Sequence, residues 1–267
     1  MLRTALALAR FRGLLATLTT RELKARYRGS FLGFFWSLAN PLLLLAVYSF
    51  VFGVVFRRPL GEGVEPYALF LITGLFPWVW VSSSMLEGSM TFISHAGLLR
   101  KAVFPLEVLP TVAVLSNLAH FLLAVPILAA ALLVGRALGH DLGGPSALLF
   151  PLVVLIQLPM VGGLVLGLAA LNVHFKDVRD IVANLLTLLF FLTPILYPLE
   201  AVTIPALWWL VRLNPFTPYA LAYQQTLFYG VVPDPELWAQ MLLVALVSWA
   251  GGTWLFGRLR ETLVEAA

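Results

Sequence analysis

From Phe31 to Phe56 the chain carries no charged side chain. The stretch just before it, RELKARYRGS (21–30), sets Arg21, Lys24, Arg26 and Arg28 against Glu22 alone. The basic half cannot enter hydrocarbon. The apolar half, 23 residues from Phe34 to Phe56, is long enough to cross a core of about 30 Å as a helix. A Lys/Arg-rich flank before a first span also holds the N-terminus in the cytoplasm. Together the two halves predict an integral membrane protein.

The rest of the chain follows the same pattern. Only 11% of its residues are charged and its mean hydropathy is +0.94, where a soluble domain has about 25% charged residues. Uncharged runs predict an all-α membrane protein with six transmembrane helices at about 34–56, 67–86, 108–134, 146–171, 181–199 and 237–256. Residues 1–33 precede them as a cytoplasmic amphipathic interface helix, and 257–267 follow as a cytoplasmic tail. With both termini inside, 13 of the 17 Lys and Arg residues fall on the cytoplasmic side. That asymmetry supports the count of six. The basic residues are thereby taken up as face markers, so the net charge of +4 does not point to nucleic acid. Cysteine is absent, which removes disulfides, thiol nucleophiles and sulfur metal sites.

In the first 30 residues Arg21, Lys24 and Arg28 recur at helical spacing and share a face, while Leu14, Leu15 and Leu18 form an apolar patch. Such a helix lies along the membrane surface, or serves only as a topology signal. The outer segment 200–235 holds two apolar pieces of about 10–12 residues, IPALWWLVRL and PYALAYQQTLFY, broken at Asn214-Pro215. Each is too short to span, so re-entrant or interfacial helices are expected. Trp208, Trp209, Tyr219, Tyr223 and Tyr229 suit headgroup level there, as a gate or a simple anchor. Gly163 and Gly167 permit close helix approach, most simply within the chain.

What is missing narrows the function classes. The spans hold no Asp, Glu, Lys or Arg near mid-membrane, where ion-driven carriers and proton relays need ionisable groups. His120 is the exception, and a lone intramembrane His reads best as a hydrogen-bonded packing residue. No HExxH, GxSxG or paired intramembrane carboxylates occur, no metal-ligand cluster is visible, and without a Gly-Lys dipeptide no Walker A loop can form. Uphill transport would need energy from another polypeptide.

Residues 21–53, RELKARYRGSFLGFFWSLANPLLLLAVYSFVFG, resemble the opening of ABC-2 type permeases, in particular those exporting polysaccharides such as O-antigen, capsule and teichoic acid. LLRKAVFPLEVLP (98–110), LNVHFKDVRDIV (171–182), TPILYPLE (193–200) and LNPFTPYALAYQQTLFYG (213–230) resemble that family in the same order. The outer loop at 57–66 is the most diverged part. The resemblance implies a permease subunit in a bacterial cytoplasmic (inner) membrane. It would pair with a second copy of itself and with two copies of a separate ATPase, which binds the ATP and Mg. This chain itself would hold no cofactor and be no enzyme. Its substrate would be a glycan on a polyprenyl pyrophosphate.

Roles for residues follow. The inner loop after span two, with Ser94, His95, Leu98, Leu99, Arg100 and Lys101, would couple to the ATPase. The loop after span four, with His174, Lys176, Asp177 and Arg179, would make a lesser contact. Both can also be read as solvated turns. Arg21, Lys24, Arg26 and Arg28 sit at headgroup depth, where charge-assisted bonds hold pyrophosphate or bind anionic lipid without selectivity. Tyr48, Phe52 and Phe56 recur every four residues along span one. Such a stripe can stack sugar faces as a glycan slides past, or simply pack between helices. Trp208, Trp209, Tyr219 and Tyr223 form the expected outer gate. Rival readings are an ABC-2 permease for a drug or small lipid, an ion-coupled carrier, and a membrane-embedded transferase.

Overall fold

The computed structural model describes residues 2–29, 31, 35–55, 64–99 and 104–266, and these are helical with no strand among them. The N-terminal helices α1 (Leu2–Arg10) and α2 (Arg12–Tyr27) are nearly continuous, because Phe11 N bonds Ala7 O and Leu15 N bonds Phe11 O, both at 3.0 Å. Helix α3 (Trp36–Tyr48) runs on as a π-helix, Ser49–Val55. Helix α4 (Tyr67–Ser89) is followed by two single turns, α5 (Thr91–Ser94) and α6 (Ala96–Leu99). Then come α7 (Val108–Ala137), α8 (Phe150–His174), α9 (Val178–Leu192), α10 (Pro205–Leu213), α11 (Thr217–Tyr223) and α12 (Pro235–Ala266).

Helix α4 is the hub. Every residue from Phe70 to Trp78 is buried, as expected of a helix that is apolar all round. It touches α3, α7, α8, α9 and α11. Helices α8 and α12 make the longest contact, and glycines explain it. A Cβ on Gly163 would overlap the backbone of Ser248 and Trp249, and one on Gly167 would meet Gly252. The small-residue pair therefore packs within the chain.

The elements sort into two ends. At the first lie α2, α5, the 174–178 turn and the last turns of α12. Here Phe92, Leu109, Leu166, Ala169, Phe256 and Leu263 form a satellite core, and Arg260 Nη1 lies 3.4 Å from Glu107 Oε1. At the other end, Ser146 Oγ donates to Thr226 O (3.0 Å) and Arg212 pairs with Glu236 (2.8 Å). A loop bearing Gly143 closes there on Gly230. Both glycines have positive φ, and a Cβ on Gly230 would overlap the Gly143 carbonyl.

Four described helices are long and apolar enough to cross a membrane: Tyr67–Ser89, Val108–Ala137, Pro145–His174 and Pro235–Arg260. Of the other two expected spans, the first is helical throughout its described part, Trp36–Val55, and the fifth is shorter than hydropathy suggested. In the fifth, expected at 181–199, α9 has 15 residues, about 22 Å of helix. It stops because Thr193 turns extended, with ψ 136°, ahead of Pro194, which disfavours helix in the residue before it. The segment expected as a tail at 257–267 is helical as far as it is described. Helix α12 continues to Ala266, and its Leu263 is buried against the bundle.

Candidate functional site at the N-terminal helix

The apolar patch of α2 is not left to lipid alone. Leu15 is buried with Val108 and Val112 of α7, and Leu14 and Leu18 pack at the margin. This contact fixes the roll of α2 and so decides where its charges go. Arg21, Lys24 and Arg28 fall on an exposed face with Thr17 and Thr20, bordering an open depression of about 640 Å³.

Arg26 turns the other way. Its Nη2 donates to Glu87 Oε2 at 2.5 Å, and its Nη1 donates to Asn117 Oδ1 at 3.2 Å. The same Nη1 lies 3.4 Å from His120 Nδ1. Asn117 Nδ2 donates to the shared Glu87 oxygen at 2.6 Å. Sequence reasoning grouped Arg26 with the other three basic residues and missed this cluster. The signal was present: five residues from Arg21 is about 140° around a helix, off the shared face. His120 is, as expected, engaged by a polar neighbour.

Beside the cluster opens a cleft of about 680 Å³ between α2, the end of α4, α5 and the start of α7. Its walls include Arg21, Glu22, Arg26, Glu87, Ser94, His95 and Arg179. It therefore brings together residues from three separate sequence expectations: the basic segment and both inner loops. In the first loop Ser94 is exposed and His95 Nδ1 lies 2.9 Å from Thr91 O. Leu98 and Leu99 belong to α6, and Arg100 and Lys101 lie outside the described residues. In the second, His174 Nδ1 sits 3.0 Å from Ala170 O, while Lys176, Asp177 and Arg179 are exposed.

Asn172 ties the two loops together, a link the sequence did not reveal. Wholly buried, it accepts from Arg179 N (3.2 Å) and donates to Met90 Sδ (3.3 Å). The cleft has a mixed lining, with Leu18, Leu86, Met90 and Val112 beside charged Arg21, Glu22, Arg26, Glu87 and Arg179. Among the described residues, no group of three or more His, Cys, Asp or Glu could hold a metal.

The aromatic stripe of α3 packs inside the chain as far as it is described. Tyr48 lies 5.4 Å from the Phe190 ring, and Phe52 lies 6.4 Å from Tyr67. Phe56 lies outside the described residues. At the opposite end the expected outer gate divides in two. Trp209 on α10 is exposed and Trp208 half-buried, with the Arg212 guanidinium 5.0 Å over the Trp208 ring. Tyr219 and Tyr223 are buried in the core of the bundle. Their hydroxyls donate to Met241 O (2.8 Å) and Gln157 Oε1 (2.6 Å). Aromatic composition suggested an interface, yet α11 is surrounded by α4, α8 and α12, and buried hydroxyls find partners there.

The family described as ABC-2 type transporter matches residues 13–228. Among curated proteins, the chain is 41% identical over 270 residues to "O-antigen export system permease protein RfbA" of Myxococcus xanthus, covering all of both chains. It is 31% identical over 254 residues to a protein of the same name from Klebsiella pneumoniae, covering 94% of each.

Proposed function

Since the chain belongs to the ABC-2 type transporter family, a family of multi-pass membrane permeases, we propose that it is the permease subunit of an O-antigen-type polysaccharide exporter. It would carry a polyprenyl-linked glycan out of the cytoplasmic leaflet of a bacterial inner membrane, driven by a separate ATPase. The observation that carries this reading is 41% identity over the whole length to a permease named for O-antigen export.

The finer architecture belongs to the same proposal. Helix α3 with its π-helical extension and helix α9 complete six crossings, because with them the joins between helices alternate between the two ends of the bundle. Both termini then lie in the cytoplasm at the α2 end, which carries most of the basic residues. Helices α1 and α2 lie along the inner surface, where the exposed Leu2 and Leu6 of α1 meet lipid. Helices α10 and α11 form the re-entrant outer pair, the buried α11 held among spans.

Residue roles follow from those positions. The exposed row Arg21, Lys24 and Arg28 meets anionic headgroups, including the carrier pyrophosphate. Ser94, His95, Leu98, Leu99, Arg100 and Lys101 of the first loop, with His174, Lys176, Asp177 and Arg179 of the second, face two copies of the ATPase, which supply the ATP and Mg chemistry. Phe56 extends the stripe of Tyr48 and Phe52, which pack against Phe190 and Tyr67 but are only half-buried, and turn their remaining exposed edges to the glycan route. Trp208 and Trp209 border its outer mouth over Tyr219 and Tyr223.

The test is transport of a polyprenyl-linked glycan into vesicles holding the chain, its ATPase, or both. Uptake that needs both proteins and ATP supports the reading. Uptake by the chain alone, or uptake driven by an ion gradient, rejects it.

A further inference from the structure

Among the described residues, Arg26 is the basic residue of 21–28 that pairs with an acidic side chain, Glu87. Two of its nitrogens point at protein acceptors, and Glu87 answers its charge directly. Only 27% of its side chain is exposed. Glu87 occupies the last turn of α4, and its carbonyl accepts the Thr91 hydroxyl at 3.3 Å where α5 begins. Asn117 braces the same carboxylate from α7 while anchoring to its own helix at Ala113 O (3.0 Å). Three elements therefore converge on one carboxylate oxygen: the surface helix, span two at the root of the first inner loop, and span three.

We propose that Arg26 is a positioning residue, the pin of a polar latch with Glu87 and Asn117 that passes displacement of the α5–α6 loop to helix α2, rather than a headgroup ligand. The proposal rests on the exporter reading for what moves the loop, and on the cluster alone for the latch. A helix docked otherwise only through Leu15 and its neighbours slides easily along an apolar face, because such contacts are non-directional. A charge-assisted bond sets register and angle. Without the pin, loop movement would reach α2 late or not at all, and ATP would be hydrolysed without export.

The experiment uses the complete transporter with R26A, R26E, E87Q, E87R and the exchange R26E/E87R. Two quantities are read: hydrogen–deuterium exchange of residues 12–27, and ATP hydrolysed per glycan exported. Each single change should speed exchange of α2 by about threefold or more and raise the ATP used per glycan by a similar factor. The exchanged pair should bring both back towards the parent, since the Asn117 amide offers a donor and an acceptor and serves either arrangement. Should R26E fail to fold, E87Q keeps the size of the side chain, removes only its charge, and reads the same latch. Parent-like exchange and parent-like ATP use in the single variants overturn the proposal. So does an exchanged pair no better than the worse single variant, the result expected if Arg26 grips phosphate. If the parent transporter exports no glycan, the exporter reading falls, and deuterium exchange still decides the latch.

Discussion

Gly163 and Gly252 meet backbone to backbone where α8 crosses α12: a Cβ added to Gly252 would overlap the carbonyl of Gly163. The overlap is with main chain, so no side-chain rotation relieves it, and the helices would have to separate. Gly252→Ala should therefore destabilise the protein by about 1–3 kcal/mol. Gly251→Ala, on the same helix with nothing within 4 Å of its added Cβ, is the matched control and should be neutral or slightly stabilising. Thermal unfolding in detergent measures both. Equal midpoints would mean that α8 and α12 do not cross as closely as described.

Tyr223 gives a second test, because its hydroxyl and Gln157 satisfy each other in a wholly buried setting. Tyr223→Phe removes the donor and leaves the Gln157 oxygen without it. The expected loss is about 1 kcal/mol, in line with hydrogen bonds between membrane helices. Tyr223→Ala also leaves a cavity and should cost about 3–5 kcal/mol. Trp209→Ala, by contrast, truncates an exposed ring and should leave the detergent-solubilised fold within about 0.5 kcal/mol of the parent. A Trp209 variant as unstable as Tyr223→Ala would place α10 inside the bundle and contradict the division of the outer pair.

What could be read from the sequence was set by one-dimensional signals. The positions of the four long helices followed from uncharged length alone. The basic row Arg21, Lys24 and Arg28 was legible because a face needs only a period. The inward turn of Arg26 needed a partner more than 60 residues away, and Glu87 looked like the start of a loop because hydropathy ends a span at its first charge. The depth of Tyr219 and Tyr223 was hidden for a related reason. A short helix rich in tyrosine has the same composition at an interface as in a core, and only its neighbours distinguish the two. The length of α12 was missed because Arg258, Arg260 and Glu261 end an apolar run without ending a helix.

That last point carries its own prediction. Leu263 is buried at 1% exposure, and Phe256 stacks on Phe92 with ring centroids 6.2 Å apart. A chain ending at Gly257 would keep the apolar span but uncover Phe92, Leu109 and Ala170. It would also free Glu107, buried beside Arg260. Loss of one buried leucine costs about 2–5 kcal/mol, so the midpoint should fall by roughly 4–10 °C or more for a protein of this size. A dispensable tail would leave it unchanged. Limited proteolysis near Phe92 gives an independent measure, with faster cleavage expected in the shortened chain.

Arg179 separates docking from folding most cleanly. Its guanidinium is half-exposed and its ion pair with Asp180 is long, at 3.6 Å, with Asp180 more exposed still. Surface pairs of that kind contribute about 0–1 kcal/mol, so Arg179→Glu should leave the thermal midpoint almost unmoved. The backbone N–H of Arg179 would still bond Asn172 and hold the turn in place. If the exposed face around Lys176 and Arg179 meets the ATPase, reversing its charge weakens association by about tenfold, and more at low salt than at high salt. Co-purification of the two subunits across a salt series reads this directly. Undiminished binding at every salt concentration would remove Arg179 from the contact and leave docking to the α5–α6 loop.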